Sequence, residues 1–414
     1  MTVARFSNYL ILPLARFVAL STLSWWEKVS FPFSFREKGL GDEGKSTKNA
    51  YLCTVVAVKK DIRALTLNEI KDYFVSMNEK PFRAKQVYEW LWQKSATTFD
   101  EMSNLPASLR QHLIDNFTIN AVAVASQQIS SDRTIKDAFR LYDSHIVEGV
   151  LIPTEKRMTA CISSQVGCSL TCKFCATGRL ERLRNLNADE IYDQVVLIRN
   201  QAMDNYNQPL TNIVYMGMGE PLLNYKNVLA SVEKITSPEG LGMSPSRITV
   251  STAGIAKMIM KLGDDGAKFN LALSLHAAND VKRNHIMPIN EHNALEALAD
   301  ALKYYYSKTK LAVTYEYIIF KDFNDTIEDA KELVAYCKHS PCKVNVIEYN
   351  PIDDGEFQKA DDDKINAFAA FVRNRGIMIS VRRSRGKDID AACGQLANKN
   401  ENVTDKKLKK TAEN

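Results

Sequence analysis

Three cysteines, Cys168, Cys172 and Cys175, crowd the segment Gly167-Cys168-Ser169-Leu170-Thr171-Cys172-Lys173-Phe174-Cys175. Spaced by four and then three positions on a loop, their thiolates can converge on a single centre. Structural zinc normally takes four protein ligands in two pairs, and this chain has no second C-x-x-C pair. Iron–sulfur clusters usually take four cysteines as well. Three clustered ligands therefore point to a four-iron cluster whose fourth iron stays open for a substrate or cofactor. A zinc site completed by Cys161 is the alternative. Downstream, Met216-Gly217-Met218-Gly219-Glu220-Pro221 offers glycines that let a backbone approach a ligand closely, and Glu220 can accept from an ammonium group. Ser251, Ser274-Leu275-His276 and Asn350 stand near the ends of apolar runs. Alone, Ser251 reads as a turn or cap, and His276 as a hydrogen-bonding residue before a metal ligand.

Such groups need a scaffold, and the composition allows one. The chain has 414 residues, enough for a core domain and an accessory domain. Its 45% hydrophobic and 25% charged content excludes wholesale disorder. Eight cysteines are too few for a disulfide scaffold at this length. A net charge of +5 is compatible with an anionic partner. The most apolar segment, 9–26, contains Pro13 and Arg16, so no uninterrupted membrane-spanning run exists there. No clean signal-peptide cleavage site follows it. Thiolates meant for metal need a reducing compartment, so a cytoplasmic protein is expected.

Residues 1–57 differ in composition from the rest and are expected to be a non-family extension, disordered or a mis-assigned start. Translation is expected to begin at Val58. A membrane-surface anchor using Leu10, Ile11, Leu12, Trp25 and Trp26 is the competing reading. From 58 to 117 the pattern predicts a small helical domain with helices at 67–77, 82–94 and 106–115, the first opened by a Thr66/Glu69 capping box. Residues 118–152 alternate apolar and polar and read as a β-rich connector with a turn at Ser131-Asp132. Strands are then expected at 159–162, 212–216, 248–251, 269–275, 313–320, 343–347 and 377–381. Helical patterns fill the gaps, including 188–203, 294–306 and 326–338. Strand–helix alternation means a parallel sheet, either doubly wound or an open barrel, with its ligand at the C-terminal strand ends. Residues 397–414 are expected to form a disordered basic tail.

The C-x3-C-x2-C loop after a strand and ahead of a βα series resembles the radical S-adenosylmethionine (SAM) superfamily, and Phe174 before the last cysteine fits that pattern. The likeness narrows to one branch. Cys161-Ile162-Ser163-Ser164-Gln165-Val166-Gly167-Cys168, Met216 to Pro221, Ser274 to Ala277 and Asp388-Ile389-Asp390-Ala391-Ala392-Cys393-Gly394-Gln395-Leu396 are similar to the dual-specificity RNA methyltransferases acting on carbon 2 of adenine. The resemblance spans residues 59–396. It implies an α/β fold: an open (partial) six-stranded βα barrel of the radical-SAM type at 153–396, with a small helical N-terminal accessory domain.

The resemblance also implies roles. Cys168, Cys172 and Cys175 would hold one [4Fe-4S] cluster. Gly219, Glu220, Ser251, Ser274, Leu275, His276 and Asn350 would bind S-adenosylmethionine, two molecules of which are used per turnover. Cys393 would carry the methyl group, Glu148 would be the base, and Cys161 would resolve the protein–RNA adduct through a transient disulfide with Cys393. The implied substrates are 23S rRNA, in its peptidyl-transferase region, and tRNA, beside the anticodon. A flavodoxin- or ferredoxin-type protein would donate one electron; a monomer with no stable membrane partner is expected. Two rivals stand beside this reading: a carbon-8 methyltransferase of the same branch, disfavoured by Pro221 and Ala277, and a non-catalytic, metal-stabilised RNA-binding protein. Arg179, Arg182, Arg184 and the run Arg382-Arg383-Ser384-Arg385-Gly386-Lys387 are candidates for phosphate contact or for a merely solvated basic face. Cys337 and Cys342 are expected to be structural.

Overall fold

A computed structural model describes residues 59–399. The expectations for residues 1–57, and those for the tail beyond 399, lie outside the described residues. The first described unit is the helical domain. A short strand β1 (Lys60–Asp61) leads into α1 (Leu67–Ser76), α2 (Phe82–Trp92) and α3 (Ala107–Asn116), after which β2 (Phe117–Thr118) returns parallel to β1. The capping box is present: Glu69 N–H donates to Thr66 Oγ1 at 3.2 Å, and Thr66 N–H donates to Glu69 Oε2 at 2.7 Å. Ile70, Phe74, Val87, Leu91 and Trp92 recur at helical spacing because they form the buried face. Arg63 ties this domain to the remainder of the chain, with bonds of 2.8 to 3.0 Å to Asp193 and Asp189.

Residues 118–152 fold as β3 (Ala123–Ile129), β4 (Ile135–Arg140) and β5 (Ile146–Pro153), an antiparallel meander. It is no separate connector, because β5 pairs antiparallel with β6 (Met158–Cys161) and so extends the main sheet. A small hairpin-like pair, β7 (Gln165–Val166) and β8 (Arg184–Asn185), brackets the cysteine loop. The alternation then runs α4 (Ala188–Tyr206), β9 (Asn212–Tyr215), α5 (Tyr225–Thr236), β10 (Ile248–Thr252), α6 (Ala256–Asp264), β11 (Asn270–Ser274), α7 (Asp280–Ile286), α8 (Leu295–Thr309), β12 (Val313–Ile319), α9 (Ile327–Tyr336), β13 (Cys342–Glu348), α10 (Asp362–Arg373) and β14 (Ile379–Arg382).

The strand order is β14-β13-β12-β11-β10-β9-β6-β5-β4-β3. The six strands β6 and β9 to β13 are the expected barrel, all parallel. β14 continues the parallel run as a seventh, with Ile379 opposite Val344. β14 and β3 do not pair, so the barrel stays open. The turn between β3 and β4 nevertheless reaches the segment after β14. Ser130 Oγ donates to Asp388 at 2.5 Å, and Gly386 N–H donates to Asp132 at 2.9 Å.

One boundary needs correcting. The tail does not become free at 397: Ala397 and Asn398 N–H donate to Glu148 Oε2 at 2.8 and 3.1 Å, and Lys399 pairs with Asp353 and Asp390 at 2.9 Å. Two amide hydrogen bonds to a buried carboxylate offset the ordering entropy that composition alone made unfavourable.

Candidate active site

The open barrel encloses a cavity of about 610 Å³. The cysteine loop forms one wall. Gly167, at φ +74, opens it, and a Cβ there would lie 1.9 Å from the carbonyl oxygen of Glu181. Cys168, Cys172 and Cys175 all line the cavity, as do Cys161 at the end of β6 and Cys393 beyond β14. The loop is bonded directly to the Cys393 segment, since Ala176 N–H donates to the carbonyl of Gly394 at 2.7 Å. Five of the eight cysteines thus meet around one volume, brought from three separate stretches of chain.

Their electrostatics are shared. Burial pushes the Cys168 thiol up to about 11 and that of Cys172 far above its ordinary value, and neighbouring thiolates push them further. Burial raises Cys161 to about 12, with Cys393 adding to it, and Cys393 itself to about 12, with Cys175 and Glu316 adding to it. Cys393 is reached by solvent through the cavity yet is surrounded by protein. Thiols in such a setting ionise together only when a cation neutralises them, which is the donor chemistry of a metal cluster. No trio of His, Cys, Asp or Glu side chains among the described residues closes to the distance of a single bound metal ion.

Opposite the cysteines, the turn after β9 supplies the glycines. Gly219 has φ +95, and a Cβ would stand 2.5 Å from Gln165 Cβ. Glu220 follows, buried, accepting from Leu222 N–H at 2.9 Å and from Ala253 N–H at 2.7 Å. Burial raises its carboxyl while those amides oppose the rise. One carboxylate therefore fastens the end of β9 to the end of β10 and still borders the cavity, with lone pairs free for a further donor. Ser251 and Ser274 sit side by side on the wall, Oγ to Oγ 3.4 Å. His276, at φ +55, is held by Ile318 N–H, which donates to Nδ1 at 3.1 Å; its ring packs edge-on against Phe174 at 4.8 Å. Burial, then the Arg283 charge, lowers it to about 3, so it is a neutral imidazole whose proton lies on Nε2.

Ten of the expected site residues line the cavity: Cys161, Cys168, Cys172, Cys175, Gly219, Glu220, Ser251, Ser274, His276 and Cys393. Three do not. Asn350 is one bond away, Nδ2 donating to the Cys393 carbonyl at 3.2 Å. Leu275 is wholly buried behind the wall. Glu148, on β5, is 1% exposed, its Oε2 taken by Ala397 and Asn398 and its Oε1 lying 3.4 Å from Lys136 Nζ.

Residues that sequence reasoning missed complete the wall. Arg283 is fully buried and grips the strand ends: Nε to the Leu275 carbonyl at 3.0 Å, Nη2 to the carbonyls of Ala253 and Ser274 at 2.5 and 3.1 Å, and Nη1 to Asn290 at 2.5 Å. Glu316 lies in the middle of β12, a strand otherwise apolar or aromatic apart from Thr314, where the lone carboxylate was a legible signal. The arginines divide. Arg184 is a clamp between Asp143 and Glu190 at 2.6 and 2.8 Å; Arg179 donates to the carbonyls of Asp353 and Asp354. Arg383 and Lys387 pair with the buried Glu348, and Arg385 donates to the Asp132 carbonyl. Among the described residues the Arg182 side chain makes only a 3.4 Å contact with Asn185, and the Arg382 side chain borders the cavity with no hydrogen bond. Cys337 and Cys342 lie away from the cavity, with Cys342 Sγ 3.7 Å from the Cys337 carbonyl.

This geometry agrees with relatives found by comparison. The sequence model of the ribosomal RNA large subunit methyltransferase N-terminal domain matches residues 60–119, and that of the radical SAM superfamily matches 162–335. A probable dual-specificity RNA methyltransferase RlmN from Christiangramia forsetii is 60% identical, over 84% of this chain and 99% of its own length. One from Salinibacter ruber is 41% identical, over 83% and 95%. The crystal structure of a radical SAM methyltransferase from Sphaerobacter thermophilus superposes with a TM-score of 0.77 at 37% identity, covering 81% of this chain and 99% of that one. The chain belongs to the dual-specificity RNA methyltransferases of the radical SAM superfamily. It is an enzyme, and family membership implies an iron–sulfur cluster, S-adenosylmethionine and an RNA substrate. The cradle made by Gly219 and Glu220 and the shared thiol wall fit those groups. No helix among this methyltransferase's described residues is long and apolar enough to cross a membrane.

Proposed function

We propose that the enzyme methylates carbon 2 of adenine in 23S rRNA and in tRNA, using Cys393 as the methyl carrier. Carbon 2 is electron-poor, so a sulfonium cannot methylate it by direct displacement. When bound, the cluster supplies the electron that splits the sulfonium cofactor and so opens a radical route. Cys168, Cys172 and Cys175 would hold one [4Fe-4S] cluster, and Gly219, Glu220, Ser251, Ser274 and His276 would seat the cofactor, with Leu275 and Asn350 behind them. Two cofactor molecules would serve each turnover, and the Cys393 sulfur would take its methyl group from one of them. With the carried carbon bonded to carbon 2, Cys161 would attack the Cys393 sulfur; the carbon–sulfur bond breaks as the disulfide forms, the released carbon takes a proton, and cellular thiols reduce the disulfide. Glu148 takes the C2 proton, exchanging the amides of Ala397 and Asn398 for the substrate. A flavodoxin- or ferredoxin-type donor supplies the electron, and the protein works as a cytoplasmic monomer.

One observation carries this reading: Cys161 and Cys393 border the same cavity as the three loop thiols, and each charge is felt by the next. The test is twofold. Peptide mass analysis of the purified enzyme is expected to find one methyl group on Cys393. Nucleoside mass spectrometry of treated RNA is expected to find 2-methyladenosine; 8-methyladenosine instead refutes the regiochemistry, and an unmethylated Cys393 refutes the carrier role.

A further inference from the structure

The inward face of the barrel carries a polar row, and beyond Ser274 the roles above leave it unused. Strand register places Ser274 opposite Glu316, Glu316 opposite Asn345, and Asn345 opposite Ser380. The last three side chains are joined, Ser380 Oγ donating to Asn345 Oδ1 at 2.7 Å and Asn345 Nδ2 to Glu316 Oε1 at 2.8 Å. Glu316 is 4% exposed and borders the cavity. Among the described residues nothing donates to its Oε2, and no cation stands within ion-pair distance. A buried carboxylate with no cation in direct contact, Arg382 and Lys343 acting on it only from farther off, is costly, and a protein retains one where a ligand answers it.

The row also has a direction. Ser251 and Ser274, on the side of Glu220, belong to the cofactor's half of the cavity. Glu316 stands one strand further on, toward β13, β14 and Cys393, and its charge reaches the Cys393 thiol. Arg382, at the cavity border, also acts on Glu316. The base that meets Cys393 therefore lies beside a fixed acceptor whose orientation Asn345 and Ser380 set. Bases taken out of the stack are read by hydrogen bonds to their edges. Adenine presents an amine at position 6; a purine with a carbonyl there would set oxygen against oxygen.

Resting on the function proposed above, we propose that Glu316 is a specificity-determining residue: its free oxygen accepts from the 6-amino group of the target adenine and rejects 6-oxopurines. Glu316→Gln tests the idea sharply. Asn345 Nδ2 demands an acceptor, so the new amide turns its oxygen there and points its NH₂ into the cavity, which suits a carbonyl. Inosine is the matched substrate, since it keeps hydrogen on carbon 2 and carries oxygen at position 6. RNA oligonucleotides with adenosine or inosine at the target position are compared by kcat/KM for wild type, E316Q and E316A, alongside cofactor binding by equilibrium dialysis. Wild type is expected to prefer adenosine by about 100-fold or more, as sites built to pair with a polar group do. E316Q is expected to bring the ratio to within about fivefold of unity, and E316A to flatten it too, by removing the acceptor. An unchanged ratio in E316Q overturns the proposal, and this variant is close enough in shape to fold if E316A does not. A loss of cofactor affinity in E316Q assigns the contact to the cofactor's adenosine and overturns it as well. A wild-type enzyme that methylates neither RNA overturns the functional reading itself, an outcome distinct from the other two.

Discussion

Arg283→Leu is expected to unfasten the cofactor wall. The guanidinium serves three backbone carbonyls, of Ala253, Ser274 and Leu275, and the side chain of Asn290. Burial lowers it to about 10, so it is still charged at neutral pH. Leucine removes the cost of burying that charge, which by itself would stabilise the fold. It also leaves four buried acceptors without a donor at about 1–3 kcal/mol each, carbonyls lying at the low end. The second effect wins, as it does when one partner of a buried charged network is removed, by about 3–5 kcal/mol. That is a large share of a total stability of about 5–15 kcal/mol. Arg283→Lys keeps the charge but not the fork, and is expected to fall between. Denaturant unfolding of the cluster-loaded protein, followed anaerobically by circular dichroism, reads the loss directly. Because Ala253 and Ser274 border the cavity, cofactor affinity should fall in parallel. A loss below about 1 kcal/mol in Arg283→Leu, with unchanged cofactor affinity, would show that water replaces the guanidinium without penalty.

Cys172→Ala is expected to lose the cluster and all RNA methylation while remaining folded, because the residue sits on a loop; iron and sulfide analysis beside circular dichroism checks it. Cys161→Ala, retaining its cluster, is expected to accumulate a nuclease-sensitive covalent adduct with RNA through Cys393, visible as a slow band on denaturing gels; no such band argues against Cys161 as the resolving thiol. His276 falls from 6.5 when unfolded to about 3 when folded, so the unfolded chain binds the extra proton between those values. Its contribution to stability is full above pH 6.5 and is lost as pH falls toward 3. His276→Gln should therefore show a shallower decline of melting temperature from pH 6.5 to 4 than wild type, and parallel curves would refute the assignment.

The parallel core was legible because each strand is a short apolar run between helical patterns, and observed ends fall within a few residues of those expected. The cysteine loop was legible because its three thiols lie close in sequence, and the fold turns all three toward one cavity. The role of residues 118–152 was not, since an alternating pattern shows that a strand has two unlike faces but not which strand it pairs with. Ala397 to Lys399 were hidden for a related reason: their anchors, Glu148, Asp353 and Asp390, are distant in sequence, and a polar composition looks the same whether bound or free.

The charged run after β14 carries the most instructive difference between composition and structure. As sequence, Arg382 to Lys387 reads equally as a run for phosphate contact or as a solvated basic face. In the fold, Glu348 is buried at the end of β13 and held down to about 2 by Lys387 and Lys359 and by the Ser384 amide against the cost of burial. Arg383 pairs with it too. Asp132 and Asp388 tie the following residues to the turn between β3 and β4. These cations fix the path of the chain that delivers Cys393 to the cavity, a task that needs charges turned inward. Of the arginines bordering the cavity, Arg382 and Arg157 are the two whose side chains make no hydrogen bond among the described residues, so RNA phosphate is expected to meet them first. Each is expected to weaken RNA binding when changed to glutamine, whereas Arg383→Gln should disturb the placement of Cys393 first.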